Sequence, residues 1–446
     1  MRKYIRLLIV LIFAFQNKSQ AYFTYAQTEA KAKSVLDLFV AKKFADIEKQ
    51  VDTLYQSYYS ATTFERDWAE LTGTYGEFLS AKPVNFEANE FYNFIGFKIE
   101  FAYLPYIFNI SFNNKGEIIY VSFMQAHNIY VAPDYCDVSK FLERKLTVNN
   151  GFYEMPGLLT VPNNQSKSPL VIILAEAGPT DKDGSFEENR PYKDIAWGLA
   201  SMGYAVYRYE KRSNNYGIYM LRDKGAYETF TPREDLLNDL YKAIDTLKTL
   251  PDIDPSRIYV LGHGQGGMLL PLVAKERREV KGIVLMGATA KRQQENMIDQ
   301  YKYLTKVTPY KKAEYDEQTI NAKRSMDKNL KPLTEHKFMP YGVQATYWIW
   351  LNQYKQVEIA QKLKKPILIL HGNRDYQTNM EDLGIWRKAL KNNPFGTVKD
   401  YPKLNHLFYS GDIESTYSEY FIRGNIPEYV IKDIYTWLNN SQDLSK

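Results

Sequence analysis

The side chains able to do covalent or metal chemistry are few: five histidines and one cysteine, Cys136, among 446 residues. A single cysteine excludes an intramolecular disulfide and any thiolate zinc site. Three short segments stand out among the rest. The first is Gly262-His263-Gly264-Gln265-Gly266-Gly267, between the apolar run Ile258-Tyr259-Val260-Leu261 and a helical run from Met268 to Arg277. The second is His371-Gly372-Asn373-Arg374-Asp375, after Ile367 to Leu370, and the third is Leu404-Asn405-His406-Leu407-Phe408, after Val398 to Tyr401. A sharp strand-to-helix turn with small residues two positions either side of its centre exposes the central side chain at a helix N-terminus, where a serine is an activated nucleophile. An acid after one later strand and a histidine after the next complete the order Ser, Asp, His, in which Asp375 fixes the tautomer of His406 and His406 is the general base. Here the central residue is Gly264, which has no side chain with which to attack a carbonyl.

The same hexapeptide also reads G-x-G-x-x-G through Gly262, Gly264 and Gly267, the phosphate-cradling turn of dinucleotide sites. That chemistry needs an acid ~20 residues on, at the end of the next strand, to hold a ribose. The next strand ends Ile283-Val284-Leu285-Met286-Gly287, without one. Several strands and helices also precede the turn, whereas the dinucleotide motif normally opens its domain. A nicotinamide site is a remote alternative, and no cofactor or metal is expected.

The elements around these segments define where they can meet. Leu170 to Leu174, Tyr204 to Tyr209, Ile258 to Leu261, Gly282 to Met286 and Pro366 to Leu370 are short apolar runs of the kind buried in a sheet covered on both faces. Between them, Tyr192 to Met202 is helical and closes on Gly203. Thr231-Pro232-Arg233-Glu234 is a capping box that opens a helix with Leu236, Leu237, Leu240, Ile244 and Leu247 on one face. From about 290 to 363 the chain is polar and helical, too long for a loop, and is expected to form a lid. Tyr347, Trp348 and Trp350 are its candidate pocket residues.

Residues 27–140 read as a small α+β domain: helical spacing from Ala30 to Val51 and Phe64 to Leu71, then alternation at Phe97 to Phe101 and a hairpin across Asn113-Asn114-Lys115-Gly116. Residues 1–26 read as a signal peptide. Arg2, Lys3 and Arg6 precede Leu7 to Phe15, and the spacings Ser19-x-Ala21 and Thr24-x-Ala26 offer cleavage points. The nine-residue run is about half the ~18 to 20 needed to span a bilayer. An exported protein without stable membrane insertion is expected.

From Phe152 to Leu438 the chain resembles secreted α/β-hydrolases of the dienelactone-hydrolase and serine-aminopeptidase-like type. The resemblance rests on Gly178-Pro179-Thr180-Asp181-Lys182-Asp183-Gly184, Arg208-Tyr209-Glu210-Lys211-Arg212, Thr229 to Leu247, Asp254-Pro255-Ser256-Arg257, the glycine turn, Asp375-Tyr376-Gln377 and Asn405-His406-Leu407-Phe408. It implies an α/β-hydrolase fold over residues 141–446: a mostly parallel sheet, helices on both faces, a lid. It also implies a triad at residue 264, Asp375 and His406, and an oxyanion hole from Gln265 and the loop at Glu176 and Ala177. Three departures fall in functional loops. Glu176-Ala177 stands where the family has Gly-Ser, Ser213-Asn214-Asn215-Tyr216 replaces a glycine-bearing stretch after Lys211-Arg212, and Gly264 replaces the serine. A carboxylate pointing into an oxyanion hole would oppose the charge that develops there.

Apolar residues make up 45% and charged residues 24% of the chain, which excludes a disordered or low-complexity protein. The net charge of +5 comes from dispersed Lys and Arg, so no nucleic-acid partner is indicated. The expected ligand is a small acyl or ester-like molecule or a short peptide. Loss of a triad nucleophile costs roughly 10⁶ in turnover. The leading expectation is therefore a hydrolase-fold binding or auxiliary protein. The alternative is an active ester or aminoacyl hydrolase, with water activated by His406 and Asp375 or with Gly264 an introduced change in a serine enzyme.

Overall fold

A computed structural model describes residues 23–88, 92–125, 130–163, 166–222, 224–412 and 414–444. The expected leader falls mostly on residues 1–22, outside the described residues. Thr24 caps the first helix, α1 (Tyr25–Val40), by accepting the Gln27 amide while the Gln27 side chain accepts the Thr24 amide. A cut after Ala26 would remove that cap; one after Ala21 would not.

The chain divides into two compact units, Met1–Ile129 and Tyr130–Lys446. In the first, a four-stranded antiparallel sheet runs in the order β1 (Phe78–Ala88), β2 (Asn93–Phe101), β3 (Pro105–Phe112), β4 (Ile118–Gln125). The continuous periodicity from Ala30 to Val51 is broken at Lys42, whose φ is +56°. Helix α2 (Phe44–Glu48) is thereby separate from α1, yet Val35, Leu36, Phe39, Phe44 and Ile47 reach one core with Trp68 of α3 (Ala61–Tyr75) and with Ile95, Phe97 and Phe108 of the sheet. The edge strand β1 lacks alternation and contains Pro83, which an edge tolerates beside a register shift.

The second unit is built on an eight-stranded sheet. β5 (Phe141–Asn150) and β6 (Tyr153–Pro162) are antiparallel to one another, and β6 is antiparallel to β8 (Ala205–Tyr209). Then β7 (Ser168–Leu174), β9 (Ile253–His263), β10 (Val280–Met286), β11 (Ile367–Gly372) and β12 (Gly396–Tyr401) follow β8 in parallel. The apolar runs are continuous because alternate residues serve different cores. Leu170, Ile172, Val260, Ile283 and Ile369 face a core shared with Leu240 and Ile244 of α7 (Asn238–Leu247) and with Leu269 and Val273 of α8 (Gly264–Glu276). Val171, Ile173, Leu261, Val284 and Leu368 face another, shared with Ile195 and Leu199 of α4 (Pro191–Ser201) and with Val430 and Ile434 of the C-terminal helix (Glu428–Leu444). Thr231 and Glu234 meet as the capping pattern predicts, the Glu234 carboxylate accepting the Thr231 amide at 3.0 Å, although the next turn, Arg233–Leu237, is a π-helix. Between β10 and β11 the chain is helical: Gln293–Val307, Lys312–Ser325, Ala345–Gln353 and Gln356–Lys362.

The glycine turn at the end of β9 is a close backbone crossing. A Cβ on Gly266 would lie 2.4 Å from the Ala175 carbonyl oxygen and 2.5 Å from that of Leu174. One on Gly262 would lie 2.6 Å from the Gly266 carbonyl carbon. Main-chain atoms cannot move aside as a flexible side chain can, so these glycines set how near α8 approaches β7. Gly266→Ala is expected to destabilise the protein by at least ~2 kcal/mol in urea unfolding. A change within ~0.5 kcal/mol, the size of an ordinary surface effect, would show that the crossing is not tight.

Candidate active site

Three strand ends of the second unit deliver the expected triad positions to one place. Gly264 opens α8 with φ +50°, the left-handed conformation that such a turn imposes on its central residue. Asp375 follows β11; its Oδ1 accepts the Gln377 and Thr378 amides, both at 2.8 Å. His406 follows β12 and donates from Nδ1 to Asp375 Oδ2 at 2.7 Å. Both side chains are buried, and Gly287 makes room for them: a Cβ there would lie 3.0 Å from the His406 ring.

The carboxylate of Glu176 lies where a side chain on residue 264 would stand. A Cβ built on Gly264 would lie 2.4 Å from Glu176 Oε1 and 2.7 Å from its Cδ. That oxygen is 3.1 Å from His406 Nε2, the nitrogen that would face a serine hydroxyl. Glu176 was expected to trouble an oxyanion hole; instead its side chain bonds the base, and its amide donates to the Tyr192 hydroxyl at 3.2 Å. Glu176 thus contributes neither a free amide nor an empty hole. The Gln265 amide lies in the first turn of α8, where no carbonyl of the same helix can accept it.

His263, which sequence reasoning passed over as a spacer in the glycine turn, is a fourth member. Its Nε2 donates to the His406 carbonyl at 2.9 Å, which leaves Nδ1 as an acceptor, 3.2 Å from the Tyr192 hydroxyl and 3.6 Å from Glu176 Oε2. Its position beside the nucleophile site was the available signal.

Charge distribution follows from these contacts. Burial raises the Glu176 carboxyl, but His406, then His263 and Lys211, outweigh it and hold it at about 2. Burial opposes a proton on His406, yet Asp375 and Glu176 on its two ring nitrogens prevail and raise it well above the ordinary histidine value. His263 is lowered by burial and by the positive His406 ring.

The segments that carried the family resemblance are the supports of this site. Lys211 is buried and donates to the carbonyls of Glu176 (2.9 Å) and Gly178 (2.8 Å) and to Asp235 Oδ2 (3.1 Å). Arg208 bonds Asp183 and Glu143, each at 2.6 Å, and Arg212 pairs with Asp239. A cavity of about 700 Å³ opens beside Glu176 and Ala177 and is lined by Gln265, Tyr347 and Trp348 among others. The Tyr347 hydroxyl donates to Gln265 Oε1 at 2.8 Å. Trp350 does not line it. Two residues after Trp348 on the same helix, it points elsewhere and stacks on Tyr354.

His406 lies between two carboxylates, so its raised value contributes stability that is fully present below the ordinary 6.5 and is lost as pH climbs through the folded value. The lowered Glu176 value contributes stability present above the ordinary 4.5 and lost as pH falls toward about 2. In Glu176→Gln, the His406 ring titration followed by NMR is expected to move down toward the ordinary histidine value. An unchanged titration would mean that Glu176 and His406 do not interact in solution.

Comparison with known proteins accords with the fold and the order of these elements. A family model described as Serine aminopeptidase, S33, matches residues 183–412, a little over half of the chain. Esterase EstD of Thermotoga maritima is 33% identical over 330 residues, covering 74% of this chain and 75% of that protein. Among solved structures, Est1E from Butyrivibrio proteoclasticus aligns with 67% of this chain and 99% of its own at 16% identity and a TM-score of 0.43. The Pyrococcus horikoshii acylaminoacyl peptidase aligns with 81% of this chain and 50% of its own at 16% identity and a TM-score of 0.46. From the family match and the extent of its likeness to the Thermotoga esterase, the chain belongs to the serine aminopeptidase S33 family, with an α/β-hydrolase fold.

Proposed function

We propose that this protein binds a small acyl or ester-type ligand, or a short peptide, beneath its helical lid and has lost the serine-nucleophile chemistry of its family. The observation that carries this reading is the Glu176 carboxylate lying within 2.4 Å of where a Cβ of residue 264 would stand, bonded to the base. Position 264 lacks a nucleophile, and a side chain could be restored there only if Glu176 withdrew. Charge argues the same way. Carboxylates at both ring nitrogens favour the protonated form of His406, which opposes its taking a proton from an attacking hydroxyl or water.

The cavity suits such a ligand. Phe230, Met297, Tyr347 and Trp348 offer apolar and aromatic surface, while Gln293, Gln300 and Gln344 offer neutral hydrogen-bonding groups. The reading includes export, supported by the basic and apolar leader pattern at the N-terminus; no helix among the described residues is long and apolar enough to cross a membrane.

A second reading, slow ester hydrolysis by water that His406 activates, is favoured by the intact 2.7 Å contact between Asp375 and His406 and by the 33% identity to an esterase. It requires His406 to release Glu176. A fluorophosphonate probe separates the two families of mechanism. The native protein is expected not to label, and Gly264→Ser alone is expected to label slowly, because the Glu176 side chain must first rotate away from the new side chain. Gly264→Ser combined with Glu176→Gly is expected to label and to raise turnover of a short acyl ester at least ~10³-fold, a fraction of the ~10⁶ that a triad nucleophile supplies. Rapid stoichiometric labelling of the native chain would overturn the first reading, and native turnover abolished by His406→Ala would establish the second.

A further inference from the structure

We propose that Glu176, His263 and His406 form a binding site for one divalent first-row metal ion, in the position from which the serine nucleophile is missing. The proposal rests on the reading that residue 264 contributes no side chain. Its evidence is the direction in which three donor atoms face and how each is held.

Donors bound ~2.1 Å from one ion are ~3.4 Å apart at a tetrahedral angle. Glu176 Oε1 is 3.1 Å from His406 Nε2, and Glu176 Oε2 is 3.6 Å from His263 Nδ1. All three residues present ligand atoms within 4.8 Å of one another. The two histidine–carboxylate distances, one to each Glu176 oxygen, bracket the value an ion would impose, and side-chain adjustment would have to draw in donors that lie up to 4.8 Å apart.

Tautomers matter more than distance, because a ligating imidazole must offer a lone pair. His406 gives its Nδ1 hydrogen to Asp375 at 2.7 Å, and His263 gives its Nε2 hydrogen to the His406 carbonyl at 2.9 Å. Each ring is therefore anchored by its far nitrogen and turns the other nitrogen toward Glu176. A ligating histidine held by a carboxylate or a main-chain carbonyl has this support, which fixes the ring and raises its basicity. The rings pack against one another at a tilt of 38°, 4.5 Å between centroids. An ion would displace the hydrogen at His406 Nε2 and require the Tyr192 hydroxyl to turn its proton away from His263 Nδ1, a rotation about one bond.

Access and ion class follow. Glu176 lines both the 700 Å³ cavity and a second cavity of about 330 Å³ that also touches His263 and Tyr192, so an ion can enter without opening the core. Two imidazoles and one carboxylate suit Zn²⁺ and its first-row neighbours rather than Ca²⁺ or Mg²⁺, which prefer oxygen donors. Three protein ligands leave a coordination position for water or for an oxygen donor of a ligand in the cavity.

The test is calorimetric titration of the chelator-treated full chain with Zn²⁺, followed by Co²⁺ titration for its visible ligand-field band. One saturable ion per chain is expected. Glu176→Gln and His263→Asn should each weaken Zn²⁺ at least ~100-fold and abolish the cobalt band, and Asp375→Asn, which acts only through His406, should weaken it ~10- to 100-fold. Thermal unfolding of each variant without metal shows that the chain has folded. Absence of saturable binding, or Zn²⁺ affinity that Glu176→Gln and His263→Asn leave unchanged in folded protein, would overturn the site. That failure is distinguishable from failure of the functional reading. Fluorophosphonate labelling of the chelator-treated native chain would remove the premise of a missing nucleophile, whereas no labelling together with no ion binding removes the metal site alone.

Discussion

In the rotamer it adopts, the carboxylate of Glu176 occupies the place that a side chain on residue 264 would take, and much of the site is arranged around that contact. With only 2.4 Å between a Cβ at 264 and Glu176 Oε1, any larger residue there would require the Glu176 side chain to shift from its present position against His406. Glu176 in turn can reach only because the main chain of residues 176–178 is fixed, with two of its carbonyls accepting from Lys211. Lys211 is balanced by Asp235 just ahead of α7. The identity of residue 264 is thus tied through a loop and an interior ion pair to a helix on the face of the sheet.

Buried charges of this kind add little net stability, since desolvation costs several kcal/mol per ion and the attraction only offsets it. Their effect is to penalise displacement. Removing one partner strands the other in the interior, at about 3–5 kcal/mol. Arg208 between Glu143 and Asp183, Lys211 with Asp235, and Arg212 with Asp239 therefore act as constraints on the loops after β7 and β8. Asp235 Oδ1 has no partner among the described residues, and Asp235 lines the larger cavity, so the support lattice is continuous with the ligand space.

The central parallel strands, the glycine turn and the candidate pair Asp375 and His406 could be read from residues because each depends on local pattern: apolar runs for buried strands, small residues for a tight turn, a polar residue after each strand. The antiparallel strands β5 and β6 carry no such continuous run and could not be read this way. The helix break at Lys42 and the strand Phe78–Ala88 could not, because a positive φ at lysine and a proline-bearing edge leave the hydrophobic spacing unchanged or absent. Trp350 shows the limit of composition. Its neighbour Trp348 lines the cavity, yet a two-residue step along a helix turns the side chain ~200° and away. His263 was hidden for a different reason. Its role comes from His406 and Tyr192, which lie far along the chain and meet it only in the fold.

The same distinction explains why Glu176 and Gly264 looked like two independent departures from the family pattern. They are 88 positions apart in the chain and touch in space. In its present rotamer glutamate at 176 would overlap serine at 264, and glycine at 264 with a small residue at 176 would leave His406 Nε2 without its Glu176 partner. The two positions are in contact, so substitutions at them are not expected to be additive, as is general for such pairs. The chain carries both departures, so the difference from the family pattern is more than a hydroxyl. Where a serine hydroxyl would be neutral, the Glu176 carboxylate places a negative charge beside His406, which favours the protonated ring and a positive group at this position.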